Sequence, residues 1–434
     1  MSVQAIGLVG MVALLFLILI RVPVAVAMGL VGTFGYAAIS GFDRAFIVLG
    51  STPFEMGSAY ALSVVPLFVL MGALASSAGI SSQLFRAVRS LFSGRRGGPA
   101  YATLGASAAF GAVCGSSLAV AATMARIALP EMRDAGYRDK LSSGVIAAGA
   151  SLGILIPPSI ILVIYAIIAE QSVQRLFAAA LIPSILLTLF YGVVLAWLVH
   201  QKDNNETPMP RAGWGERLRA LGSMWEIVLL FGVSIGGIYL GWFSPTESAA
   251  VGSFGAFVLG FVRGRLTFRR VHEAVVETIL ISSMLFLVVL CAFIFSYFVV
   301  LTELPQTLVE WTRSLDASPA VIMLILILFY IIMGCFLDGI GMVLITVPVF
   351  FPLVVGAGFD PVWFGVLLVL VVEMGLVTPP VGMNIFVIRA QAPEIPLSVL
   401  YRGVLPFLIA PVALLLLMVW WPNIALWFPS LLYR

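Results

Sequence analysis

Two short stretches of this sequence place helix-breaking residues where a charged ligand could be held: GILIPPSI at 153–160 and GLVTPPVG at 375–382. Adjacent prolines remove two backbone donors and clash with the preceding turn, so a helix cannot run through either stretch unbroken. Carbonyls left without donors suit a hard cation, and the N–H groups of a restarting helix face an anion. Two further stretches, GAVCGSS at 111–117 and GCFLDG at 334–339, offer the hydroxyls of Ser116 and Ser117 and the carboxylate of Asp338. Asp338 also suits the N-cap of a helix that starts behind it. Glu373 lies two residues before the second break, and Ser159 and Asn384 follow the breaks. Arg126 carries a fork of donors that fits a carboxylate or can snorkel toward the cytoplasm. A hydrolase would need a base beside Ser116, Ser117 or Asp338. The two histidines, His200 and His272, lie near predicted span ends, and no Ser-Lys or paired-Asp arrangement is present. The expectation is therefore no enzyme, and no histidine–cysteine metal cluster either.

These residues must be positioned by membrane helices. Of 434 residues, 62% are hydrophobic and 10% charged, and many segments reach the roughly 20 apolar residues that cross a bilayer. The fold class is an all-α polytopic membrane protein. The segment 5–20 lacks a basic flank and is followed at once by apolar spans, so it reads as a retained span. Cys114, Cys291 and Cys335 lie in apolar sequence, which argues against a disulfide framework.

Sliding the sequence against itself by 222 positions lays GILIPPSI on GLVTPPVG, AGY (135–137) on AGF (357–359), Pro130 on Pro352, Pro23 on Pro245, and Ser116 on Asp338. One register over most of the chain reads as a duplicated unit, 1–212 and 223–434. Repeats meeting at a midplane site are a common build of secondary transporters.

Predicted spans are 4–20, 22–40, 62–80, a pair 100–130, then 141–169, 176–199, 226–241, 245–262, 274–301, a pair 319–355, 362–388 and 404–428; 42–60 lies along the interface. The arms of each pair are short for full crossings and read as re-entrant hairpins. With the 81–99 loop inside, 18 of the 23 basic residues fall on the cytoplasmic side. Lys202 and Arg211 are among them, while Arg434 falls outside. Both termini are then periplasmic. Five crossings between the hairpins invert the second repeat, so the two tips approach the midplane from opposite sides. Non-helical backbone is tolerated there when protein encloses it.

The stretches GAVCGSSLAVAA (111–122), ALPEMRDAGY (128–137), GASLGILIPPSI (149–160), SPTESAAVGSFGA (244–256), GCFLDGIGMVLITVPVFFP (334–352) and GLVTPPVGMNIFV (375–387) resemble the large membrane subunit of tripartite ATP-independent periplasmic (TRAP) transporters. The resemblance spans essentially the whole chain, with Ala166 and Ala180 where such proteins are expected to carry glycine. It implies an elevator-type transporter of the ion-transporter superfamily, in a bacterial inner membrane, with a scaffold and a moving transport domain. It implies import of a small organic acid, such as a C4-dicarboxylate or sialic acid, with Na⁺ as the coupling ion. It further implies two protein partners: a small four-helix membrane subunit and a periplasmic substrate-binding protein. No other cofactor and no nucleic acid are expected. The alternative is a proton-coupled or binding-protein-independent carboxylate transporter of the same superfamily.

Joined to the 222 register, the resemblance implies two sodium sites. The first comprises Ser116 with Cys114, Gly153, Ile156 and Pro158. The second comprises Asp338 with Gly334, Gly375, Thr378 and Pro380. Ser117, Arg126, Ser159 and Asn384 are the substrate candidates. Glu247 in SPTES is read as a cap or a scaffold contact, and Glu373 as a network partner or a lumen-facing structural residue.

Overall fold

The computed structural model describes residues 2–201 and 213–433. All regular structure among the described residues is helical, as the composition requires. Among the described residues, seven helices are long and apolar enough to cross a membrane, or eight if Trp214–Ser223 and Trp225–Tyr239, bent by 43°, form one span. Shorter apolar helices accompany them, including Val3–Leu19, Val24–Ser40, Pro319–Gly334 and Pro361–Val377. Lys202, Arg211 and Arg434, and the boundary at 212, lie outside the described residues.

The motif-bearing elements form two sets. The first is a hairpin, Gly98–Cys114 and Ser117–Asp134, followed by a helix in two pieces, Asp139–Leu155 and Ile160–Ile168. The second is a hairpin, Pro319–Gly334 and Gly339–Gly356, followed by Pro361–Val377 and Met383–Gln391. Element for element, the second set starts within one residue of 222 positions after the first.

Residues 141–155 and 362–377 are buried without exception. Helices apolar on every side belong inside a bundle, and here the two broken helices occupy its centre. Small residues let neighbours approach them. Gly144 and Gly403 touch so closely that a Cβ on either would overlap the other's backbone neighbourhood.

Around this centre, Val24–Ser40, Val64–Ser77, Pro245–Val262 and the 34-residue helix Phe268–Leu301 pack on one another. Gly32 permits the contact with the long helix, since a Cβ there would lie 2.8 Å from the Phe295 backbone. Ser253 ties two of the helices by donating to the Leu67 carbonyl at 2.6 Å. The outer side of the long helix exposes Ile279, Leu280, Met284, Leu287 and Val300, the apolar face that lipid or an apolar partner would cover.

Three segments differ from the sequence-based expectation. The 81–99 loop contains an amphipathic helix, Ile80–Leu91, because Ile80, Leu84 and Val88 recur at helical spacing and bury one face. A second amphipathic helix, Leu304–Ser314, precedes the second hairpin. The last span is interrupted at Trp421–Pro422, where proline ends Ile409–Trp420 before Asn423–Leu432 begins. The 42–60 segment is a largely exposed helix, Phe42–Ser58. All three cysteines are free thiols.

Candidate functional site

At the first tip the chain leaves Gly98–Cys114 through Gly115 in a left-handed conformation, φ +62°. Ser116 follows in extended geometry and caps the second arm, its Oγ accepting from the Ala119 N–H at 3.4 Å. Glycine is required at 115 twice over. It adopts the positive φ without strain, and a Cβ would sit 2.7 Å from the Pro158 carbonyl oxygen. Further along, a Cβ on Gly111 would lie 2.5 Å from the Gly153 Cα, and one on Gly153 would lie 3.3 Å from the Ser116 carbonyl oxygen. The tip and the first break therefore meet backbone to backbone. The Cys114 thiol turns toward the Ser116 carbonyl at 3.8 Å.

The break itself follows from its prolines. Helix continuation would pair the Gly153 and Ile154 carbonyls with the N–H groups of residues 157 and 158, which are prolines and have none. Ile156 turns extended (ψ 123°), the Pro157–Pro158 bond is cis, and Ser159 restarts the helix by accepting from the Leu162 N–H at 3.3 Å. Ser159 is thus occupied as a cap. Cys114, Ser116, Gly153 and Pro158 are brought to one place, with Ile156 at the end of the same broken segment.

The second tip repeats the arrangement with different chemistry. A Cβ on Gly375 would lie 2.6 Å from the Gly334 Cα, so this tip and break also touch through glycines. Asp338 caps the second arm, its Oδ2 accepting from the Gly341 N–H at 2.9 Å, while Oδ1 accepts no hydrogen bond from the described residues. The Pro379–Pro380 bond is cis. Thr378 ends the helix and its hydroxyl turns back to the Met374 carbonyl. Two residues not singled out from the sequence also bind this break. The Cys335 thiol points at the Pro379 carbonyl, 3.3 Å away. The Tyr401 hydroxyl lies 2.7 and 2.6 Å from the Pro380 and Val381 carbonyls. Pro380 is exposed, and one lone pair of its oxygen is already engaged. No local signal marks Tyr401, which comes from the start of the last span.

The substrate candidates separate. Ser117 and Asn384 are fully buried, and among the described residues neither the serine hydroxyl nor either amide atom of Asn384 closes a hydrogen bond. Arg126 is exposed and donates only to the Ala122 carbonyl of its own helix, at 3.4 Å. Nine residues of helix put it about 14 Å from Ser117, so it stands apart from the tip cluster. Glu373 is 2% exposed and neither carboxylate oxygen closes a hydrogen bond among the described residues. The Ser117 hydroxyl stands near its carboxylate, short of a closed hydrogen bond. Glu247 closes a capping box with Ser244, at 2.8 and 3.3 Å, as its motif predicts.

At the charged end of these elements, Arg133 binds Asp139 through Nε and NH2 (2.7 and 3.1 Å) and Glu394 through NH1 (2.7 Å). It joins the end of hairpin one, the start of the first broken helix and the link after the second. The bond to Asp139 chiefly holds the guanidinium above its usual range. The Glu394 carboxyl is held below its usual range, first by its own backbone N–H and then by Arg133. Elsewhere buried Glu226 pairs with Arg263 (3.0 Å) and Arg265 (3.2 Å). No group of three or more metal-ligating side chains occurs among the described residues.

Residues 11–424 match the sequence profile of the "Tripartite ATP-independent periplasmic transporter, DctM component". The chain is 34% identical to a C4-dicarboxylate TRAP transporter large permease protein of Pseudomonas aeruginosa, covering 87% of this chain and 88% of that one. It is 34% identical to a sialic acid TRAP transporter large permease protein of Vibrio cholerae (86% and 87% covered), and 31% identical to an ectoine TRAP transporter large permease protein of Halomonas elongata (86% and 87%). Among solved structures, the Alcanivorax borkumensis YdaH transporter shares the fold, with TM-score 0.63 at 16% identity over 90% of each chain.

Proposed function

The chain belongs to the DctM-component family of tripartite ATP-independent periplasmic transporters, and from that premise we propose that it imports a small organic acid by coupling it to sodium. It is a transporter's large permease and not an enzyme. The family works in the bacterial inner membrane, and its tripartite build implies a small membrane subunit and a periplasmic binding protein. The named relatives handle C4-dicarboxylates, sialic acid and ectoine, which fits a carboxylate-bearing substrate for this chain too.

One observation carries the sodium assignment: at both tips a glycine–glycine contact presses a break with donorless carbonyls against a capped hairpin turn. Such an oxygen-rich, enclosed pair of turns suits a small hard cation. Ser116 with the backbone at Cys114, Gly153, Ile156 and Pro158 forms one site. Asp338 with Gly334, Gly375, Thr378 and Pro380 forms the other. Ser117, Ser159 and Asn384 line the approach between them, and the substrate carboxylate is received there at the helix N-termini. Arg126 meets the substrate, if at all, only on its way to the cytoplasm.

In this scheme sodium binding closes both tips on the substrate, and the hairpin-bearing elements move as one body against the surrounding helices. Each sodium charge moved inward across ~100 mV contributes about 2.3 kcal/mol, so two ions offset the inward movement of a dianion. Both termini face the periplasm, and the second set is inverted relative to the first.

The test is uptake by the assembled three-part complex in proteoliposomes, with sodium, potassium or choline outside. Sodium-specific accumulation that Asp338→Asn abolishes is the expected outcome. Equal uptake in choline would sink the coupling scheme.

A further inference from the structure

We propose that the helix Trp214–Ser223 lies on the headgroups of acidic phospholipid, and that this contact restrains the helix that feeds hairpin one. Trp214, Leu218 and Leu221 are exposed, at 78%, 64% and 48%. Their spacing of four and three puts them on one face of the helix. The same face continues through Trp225 to the exposed Val228 of Trp225–Tyr239. The apolar stripe thus passes from an apolar helix of the bundle onto one bent from it by 43°.

Charged side chains flank the stripe. Glu216 and Arg219 are exposed beside it. The Arg217 guanidinium stands 5.7 Å from the Trp214 ring centre, and that of Arg263, paired with buried Glu226, stands 5.5 Å from the Trp225 ring centre. Arg217 also donates to the Ser93 carbonyl at 3.0 Å, which brings the exposed Arg95 and Arg96 to this end of the molecule. A ten-residue helix with these charges is too polar for hydrocarbon, and its stripe is too apolar for water. The headgroup layer accommodates both, with tryptophan at its preferred depth. The excess of arginine over Glu216 selects acidic lipid over zwitterionic lipid. Continuity of the stripe with Trp225–Tyr239, which one bilayer surface meets without a gap, favours lipid over a protein as the occupant.

The opposite side of the helix is tied inward. Gln83 donates to the Ser223 carbonyl at 2.6 Å, and Arg217 holds the turn that precedes hairpin one. Gln83 belongs to Ile80–Leu91, whose Arg89 pairs with Glu131 on the second arm of hairpin one. Lipid that fixes Trp214–Ser223 therefore restrains Ile80–Leu91, and through it the hairpin. The inference goes beyond the transport reading and does not depend on it.

The full chain, with its three cysteines replaced and a nitroxide at Leu221→Cys, is placed in nanodiscs of phosphatidylcholine alone or mixed with phosphatidylglycerol. Power saturation compares access to oxygen, which concentrates in lipid, with access to a water-soluble nickel chelate. The expected result is a label that favours oxygen when phosphatidylglycerol is present and turns toward the chelate as salt is raised. Arg219→Gln should lower the ratio of lipid-immersed to water-exposed label roughly fivefold, the share of one basic side chain at a charged surface. A label equally open to the chelate in both lipids would overturn the proposal. Oxygen access indifferent to phosphatidylglycerol and salt would reject acidic lipid as the occupant. A label shielded from both reagents would assign the face to a protein, a second copy included, and reject it too. Should the cysteine replacements prevent folding, hydrogen exchange of the wild-type chain in the same discs decides the matter. Phosphatidylglycerol should slow exchange across 214–223 and 80–91, and identical exchange in the two lipids sinks the idea. Neither readout involves sodium or substrate, so failure here leaves the proposed function standing, and the reverse holds.

Discussion

Asp338 caps the second arm of hairpin two with one carboxylate oxygen and leaves the other available. Two substitutions separate these roles. Asn keeps a cap acceptor, so Asp338→Asn should leave stability in choline within a few tenths of a kcal/mol of wild type while weakening the sodium-dependent rise in Tm. Ala removes the cap as well and should lower stability by about 1 kcal/mol in either salt. Equal losses from both variants in choline would contradict the division. The glycines offer a second test at this scale. Gly375→Ala places a methyl 2.6 Å from the Gly334 Cα, backbone that cannot swing aside, and should destabilise by about 1–3 kcal/mol. Gly50→Ala, in a helix with nothing within 4 Å, should instead be neutral or stabilise by up to about 1 kcal/mol. Thermal melts of the pair check the contrast. Much of this was legible in sequence, because PP and GCFLDG state their chemistry locally. The full enclosure of Glu373 was not, since helices far apart in sequence bury it and no local pattern encodes that.

At the scale of elements, Arg133 is the clamp between the two sets. Glu394 has a depressed folded-state value, so its contribution is present above the unfolded value near 4.5 and is lost as pH falls through the lower folded one. The Tm difference between wild type and Glu394→Gln should therefore be constant through neutral and mildly acidic pH and shrink below about 4.5. A difference that instead grew on acidification would reverse this assignment. From sequence Arg133 counted only as a cytoplasmic charge, since its two partners come from separate elements. The hairpins and breaks were readable because Gly and Pro punctuate a membrane helix so strongly. The amphipathic helices Ile80–Leu91 and Leu304–Ser314 were harder to read, because short half-polar helices between spans resemble loops.

At the scale of the whole molecule, the charge distribution predicts sidedness. In a variant whose three native cysteines are replaced, a single cysteine at Ser2 should react with a membrane-impermeant thiol reagent from the periplasmic side. One at Arg96, an exposed position of the 81–99 segment, should react only after the membrane is opened. The reverse pattern would invert the topology. The all-helical class followed from composition alone, and the starts of the motif-bearing helices recur at close to the 222-residue spacing read from sequence. How the long helix Phe268–Leu301 and its neighbours enclose the centre was not readable, since apolar residues facing lipid and protein are alike in type.

The two tips are fastened unequally. Opening hairpin two must break the Cys335 contact with the Pro379 carbonyl, on a break that Tyr401 steadies from the other side. Opening hairpin one parts mainly glycine backbone from glycine backbone. If hairpin one lies on the cytoplasmic side, as proposed, the door toward the cell interior is the lighter of the two. The resting molecule would then leak inward before it leaks outward, and a tighter latch at Gly115 and Gly153 would trade turnover for seal.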